Sequence, residues 1–449
     1  MPSLFFTEAL LPEGWARDVR IEIADGVISA IATGAAPTGE RFAMALAGLP
    51  NLHSHAFQRG MAGLAEVRGA SADSFWSWRE VMYRFLGALT PDDVEAIAAL
   101  AYAEMLEGGF TRVGEFHYLH HGPDGTPYAH LGEMAERIAA AAAQTGIGLT
   151  LLPVLYAHGN FGGAPPTEGQ RRFVNDLGRF ARLLDDSAAA LRGLPDANLG
   201  VAPHSLRAVT AAELAAVVAL GNGGPVHIHA AEQTREVDDC LAWSGARPVE
   251  WLLDHAGVDA RWCVIHATHM TETETIRLAQ SGAVAGLCPV TESSLGDGIF
   301  NGTIWRDAGG RYGVGSDSNI QIGAVAELRQ LEYSQRLITR SRNVMAPAAG
   351  ITTGRALFEA SLGGGAAALG RTAGLRVGQP ADIVALDAGH PSLMHRSGDG
   401  WLDGWIFATE RAVDTVWRRG AVVVRGGRHV ARGTIEQRYR GVLQRLLAA

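Results

Sequence analysis

No lysine occurs anywhere in the 449 residues, so all 38 basic side chains are arginine. That absence removes whole mechanisms: a Schiff-base lysine, a phosphate-loop lysine and a lysine carbamate bridging two metals are all excluded. Cysteine is scarce too. Cys240, Cys263 and Cys288 stand far apart, which fits neither a disulfide framework nor a CxxC metal site, and they read as small buried apolar residues. No uninterrupted apolar run reaches the roughly 18 residues needed to span a membrane. The N-terminal stretch "MPSLFFTEALLPEGWARDVR" carries no basic segment ahead of its apolar part, so a cytoplasmic location is expected. Acidic residues outnumber basic ones, for a net charge of -9, and no basic patch stands out. Both features weigh against a nucleic-acid or membrane-surface partner.

What is present is the composition of a globular protein, with 47% hydrophobic and 19% charged residues. Short apolar segments recur at "GLPNLH", "FTRVGEF", "IGLTLLPVLY", "NLGVAPH", "PVHIHA", "WCVIHA", "AVAGLCP" and "YGVGSDS". Helix-compatible stretches such as "DDVEAIAALAYAEMLEGG" and "MAERIAAAAAQTG" lie between them. Eight strand-helix alternations predict an α/β fold, a (β/α)8 TIM-like barrel, with a doubly wound sheet as the pattern's other solution. The flanks differ. "ARDVRIEIADGVISAI" and "VWRRGAVVVRGGRHV" read as hairpins around Asp25-Gly26 and Gly426-Gly427. The economical division is a small discontinuous β-domain from residues 1–46 and 376–449, the latter with a C-terminal helix, and a barrel over 47–375 inserted between its halves. Thr434 and Gln437, at capping-box spacing, place the start of that last helix.

Polar residues gather where the predicted strands end: His53 and His55, Glu115 and His117, His158, His204, His229, His266 and Asp317. Barrel interiors are filled by branched aliphatics and barrel sites occupy this rim, so these residues imply a site. In a strand, His53 and His55 share one face. With His229 and Asp317 they form a nitrogen and oxygen donor set without sulfur, which suits Zn2+ with one open position. Glu232, three residues after His229, can set a proton carrier beside the metal, and His266 can stabilise developing charge. His227 reads as a packing or supporting residue and His269 as a surface or capping one.

These residues carry a resemblance. The HxH of "HSHAFQRG", His229 and the "HAAE" run, His266 and "GSDSN" resemble the amidohydrolase superfamily over essentially the whole chain. Their order resembles its mononuclear deaminase branch. That implies one zinc per chain, held by His53, His55, His229 and Asp317, with Glu232, His266 and Asp317 in catalysis. Binuclear members with a carboxylated lysine at the fourth strand are excluded independently, since "NLGVAPHS" presents His204 there. More narrowly, "NLHSHAFQRGMAG", "SFWSWREVMYRF", "GEFHYLHH" and "APHSLRAV" look like the N-formimino-L-glutamate deiminases of histidine degradation. This implies conversion of formiminoglutamate to N-formylglutamate and ammonia, with Gln58, Arg79, Tyr118, His204 and Arg207 binding substrate.

The residues support such a substrate on their own terms, because a ligand with two carboxylates wants two guanidinium groups, and Arg79 and Arg207 are the candidates. The expected partner is therefore a small dicarboxylate amidine, and the expected assembly a homodimer. Two other functions fit the pattern less well. A related aminohydrolase acting on a ring such as guanine or a triazine would prefer aromatic surfaces to paired arginines. A non-catalytic scaffold would have eroded ligands, and none is missing.

Overall fold

The computed structural model describes residues 3–68 and 74–448. The chain opens with β1 (Ser3–Leu11), β2 (Gly14–Ala24), β3 (Val27–Ala32) and β4 (Glu40–Ala47). Along β2 the alternation of Val19, Ile21 and Ile23 with polar neighbours buries one face only. Asp25 and Gly26, at φ of +54° and +80°, make the two-residue turn that pairs Ala24 with Val27. Such turns need positive φ at both central positions, which suits the Asp-Gly pair.

The barrel strands follow: β5 (Leu49–Ser54), β6 (Phe110–His117), β7 (Gly148–Leu155), β8 (Asn198–Leu199), β9 (Ala202–Pro203), β10 (Val226–Ala230), β11 (Trp262–His266), β12 (Val284–Leu287) and β13 (Arg311–Val314). β5, β6 and β7 are buried along their whole length, as parallel strands covered on both faces must be. Parallel pairing runs β5-β6-β7-β8 in one group and β10-β11-β12-β13 in another. Backbone hydrogen bonds join the groups at both seams. Val201 N donates to Pro225 O and His229 N to His204 O, each at 3.0 Å; His55 N donates to Asp317 O at 2.9 Å and Asp317 N to His53 O at 3.0 Å. The ring of strands is thereby closed.

"NLGVAPH" forms two short pieces in place of one strand, broken at Gly200, where an added Cβ would lie 2.7 Å from Pro225 O. The last barrel strand stops at Val314, because Gly315 runs hard against the His53 backbone and Asp317 turns to φ +43°.

The chain then returns through β14 (Ile383–Leu386), β15 (Val413–Arg418), β16 (Ala421–Arg425) and β17 (Arg428–His429). Pairing of β14 with β4 joins the two ends of the chain in one eight-stranded sheet, β17-β16-β15-β14-β4-β1-β2-β3. The barrel is thus inserted between β4 and β14. Arg418 of this sheet reaches Asp196, just before β8, at 3.0 Å, and also pairs with Asp382. The end of helix Thr353–Ala368 closes the barrel floor, where Ala368 O receives His227 Nε2 at 2.8 Å and Leu369 O receives Asn198 Nδ2 at 2.8 Å. The final helix spans Arg432–Ala448, so Thr434 lies inside its first turn and is not its cap.

Candidate active site

Two imidazoles at the rim have their tautomer set by backbone carbonyls. His55 Nδ1 faces Phe116 O at 3.0 Å, and His229 Nδ1 faces His204 O at 3.1 Å. A carbonyl only accepts, so each Nδ1 carries the proton and each Nε2 presents a lone pair. Those lone pairs converge on other acceptors. His229 Nε2 is 3.1 Å from His53 Nε2, while Asp317 Oδ1 is 3.2 Å from His55 Nε2 and 3.4 Å from His53 Nε2. Donor atoms of His53, His55 and His229 all lie within 4.8 Å of one another. A cation among them turns these repulsions into bonds, so the donor set fits a divalent metal. Burial lowers the pKa of His53 to about 3 and that of His229 well below the usual range, which keeps both rings neutral and able to ligate. Burial would raise the Asp317 carboxyl, but His53 and the other imidazoles facing it hold it well below the usual carboxylate range.

Glu232 follows the end of β10 and is buried. Burial raises its pKa, and His266 and Arg207 oppose that rise. His266 Nε2 lies 3.7 Å from Glu232 Oε1 and 3.8 Å from Asp317 Oδ2, while its Nδ1 meets Glu292 Oε1 at 3.2 Å. Burial alone would lower the His266 pKa, and the facing carboxylates more than reverse this. The group is a coupled acid-base cluster against the donor set, suited to moving a proton beside a metal.

Over this cluster opens a cavity whose walls include Gln58, Arg79, Tyr118, His204 and Arg207 together with His55, His229, Glu232, His266 and Asp317. Helix Phe75–Leu86, capped by Ser74, brings Arg79 to it. Arg79 stacks on Trp76 at 4.6 Å and leans on Tyr83 at 5.6 Å, and its Nε has no hydrogen-bond partner. Gln58 Nε2 donates to Tyr118 Oη at 2.8 Å. Arg207 is buried, with Nη2 at 4.0 Å from Glu232 Oε2 and 3.9 Å from Glu236 Oε2.

Other rim residues fall outside the cavity. His158 pairs with Glu213 at 2.9 Å, Glu115 accepts from Ala56 N at 2.7 Å, and His117 is buried with Nε2 unpartnered. His227 bonds Ala368 O at the floor, as a packing role predicts, and His269 Nε2 is tied to Asp297 O at 2.8 Å. All three cysteines are buried and unpaired. Sequence reasoning missed Glu236 and Glu292, and also the cavity walls formed by Trp78, Met82, Tyr83, Tyr156 and Thr291. For Glu236 a signal existed: it stands at the third position of the helix that starts at Thr234, the place from which a glutamate reaches back to the preceding amides.

The family model described as "Amidohydrolase family" matches residues 44–423, and that described as "Formimidoylglutamate deiminase HutF, N-terminal domain" matches residues 1–41. Formimidoylglutamate deiminase of Pseudomonas aeruginosa is 51% identical, with all of both chains covered. The 5-methylthioadenosine/S-adenosylhomocysteine deaminase of Natronomonas pharaonis is 30% identical over 86% of this chain and 85% of its own. Among solved structures, an amidohydrolase from Brucella melitensis superposes with a TM-score of 0.97 at 60% identity over the full length of both chains. Atrazine chlorohydrolase TrzN from Arthrobacter aurescens shares the fold, with a TM-score of 0.83 at 20% identity over 99% of this chain and 100% of its own.

Proposed function

This chain belongs to the amidohydrolase family, and within it to the formimidoylglutamate deiminases; from that membership we propose that it hydrolyses N-formimino-L-glutamate to N-formyl-L-glutamate and ammonia with one zinc ion per chain. The observation that carries the reading is one cavity holding two arginines, Arg79 and Arg207, beside the Glu232-His266 pair and the four-donor centre. That is what an amidine bearing two carboxylates requires.

His53, His55, His229 and Asp317 would hold the zinc, which would supply Lewis acidity for the activation of water. Arg79 and Arg207 hold the two carboxylates, while Gln58, Tyr118 and His204 fix the chain between them. Water adds across the C=N bond of the formimino group, and Glu232 accepts the proton that the water gives up. His266, kept in place by Glu292, stabilises the charge that develops at the carbon's substituents. Glu232 hands that proton to the terminal nitrogen and then carries the second proton of the former water, from the adduct's hydroxyl, to the same nitrogen, so that both protons end on the leaving group. The carbon-nitrogen bond there breaks, ammonia leaves, and the formyl group stays on the glutamate nitrogen.

Arg79→Met and Arg207→Met should each lower kcat/KM by about 2 to 4 kcal/mol, the cost of breaking a charged pair in a buried site, with metal content unchanged. An analogue lacking one carboxylate should be a poor substrate for the wild type and nearly indifferent to loss of the arginine that served it. Phe75, Trp78 and Tyr83 form the wall that a ring substrate would use, so guanine and a triazine belong in the same panel. Full turnover of formiminoglutamate by both arginine variants, or a wild-type preference for guanine, would overturn the substrate assignment.

A further inference from the structure

We propose that Glu236 is a positioning residue of this reaction: it is the resident counter-anion that keeps Arg207 from pairing with Glu232. This rests on the reading above, in which Glu232 carries the proton and Arg207 holds a substrate carboxylate. The Arg207 guanidinium is shared almost evenly, with Nη2 at 4.0 Å from Glu232 Oε2 and 3.9 Å from Glu236 Oε2, and its Nε has no partner. All three residues are buried. In that setting a guanidinium left with a single carboxylate closes on it as a two-point pair. Closure on Glu232 would hold that carboxylate ionised and immobile, the wrong state for a proton carrier. It would also turn the fork of Arg207 away from the substrate.

Glu236 competes for the same Nη2, and its own place is fixed. Its Oε1 accepts from Ala231 N at 3.3 Å and its Oε2 from Glu232 N at 3.1 Å. β10 ends at Ala230, and the next helix runs Thr234–Ser244, so these amides lie outside both elements. Ala231 sits at φ +53°, a left-handed conformation that a non-glycine residue holds only when its surroundings enforce it. One carboxylate therefore sets the backbone turn that aims Glu232 and the side chain of the arginine next to it.

Glu236→Gln removes the charge at nearly unchanged shape and keeps an acceptor oxygen for one of the two amides. It should lower kcat about tenfold to a hundredfold with metal content unchanged, and Glu236→Asp, which keeps the charge, should lose less. The double variant Glu236→Gln/Arg207→Met decides the matter. With the arginine gone nothing quenches Glu232, so kcat at saturating substrate should recover to that of Arg207→Met alone while KM stays high. A role in folding or local packing predicts losses that multiply. Wild-type kcat in Glu236→Gln, or a double variant slower than Glu236→Gln, overturns the proposal. Retained activity in Glu232→Gln would instead sink the underlying reading, and is measured separately.

Discussion

At Glu232, burial and charge pull in opposite directions. Loss of solvent raises the carboxyl's pKa while His266 and Arg207 oppose the rise, and the group is left able both to take and to give a proton. Replacement by glutamine preserves shape and removes that capacity. Glu232→Gln should therefore keep its metal by elemental analysis and lose roughly a hundredfold or more in kcat. Near-normal turnover of metal-replete Glu232→Gln would leave the proposed carrier without a role. His266 differs in kind, because it meets Glu292 and faces two carboxylates, so the role proposed for it is electrostatic.

Among the elements, the end of β6 and the segment after it concentrate buried imidazole: His117, His120 and His121 are all buried. Burial alone lowers the His117 pKa to about 3. Above pH of about 6.5 this ring is neutral in both folded and unfolded chains. Below it the unfolded chain takes up a proton that the folded one refuses, so stability is lost as pH falls from about 6.5 toward 3. Between pH 6.5 and 5 the single site is worth about 2 kcal/mol. His117→Gln should shrink the acid-induced loss of stability by about that amount in denaturant unfolding of metal-free protein; an unchanged slope would show that His117 does not titrate between the two states.

The same scale shows what was legible beforehand. A nearly uniform apolar run such as β7, GLTLLPVL, announces itself, because a strand covered on both faces has no polar side to confuse the pattern, whereas β6 buries Thr111, Arg112, Glu115 and His117 among its apolar residues. The pairing of His53 with His55 is equally legible, since alternation alone places them together. Residues whose role depends on close approach are hidden. The break at Gly200 and the early end of β13 at Gly315 follow from contacts with Pro225 and His53, which are distant in sequence. Tyr83 and Tyr156 look like ordinary helix and strand-end aromatics until the barrel closes and sets both on one cavity.

For the whole molecule, the split sheet and the barrel are locked by charges that lie far from the active-site cavity. Arg418 bridges Asp382 of the returning chain and Asp196 before β8, while Arg112 reaches Asp196 at 2.5 Å. Arg418→Met leaves Asp382 with the Arg419 amide but no cation in a poorly solvated place. The variant should lose about 3 kcal/mol of stability by denaturant unfolding, with metal content and KM unchanged. A loss near zero would mean that the sheet docks by its apolar face alone.

The two carbon-nitrogen bonds of the formimino group lead to different products. In the adduct of water with N-formimino-L-glutamate two nitrogens are bonded to the reacting carbon, and only the destination of the Glu232 proton separates the two outcomes. Proton NMR of the zinc-loaded protein with N-formimino-L-glutamate, read together with ammonia release, tests this directly. The account predicts N-formyl-L-glutamate and ammonia in equal amounts; formamide with free glutamate, or no turnover by metal-replete protein, would contradict it.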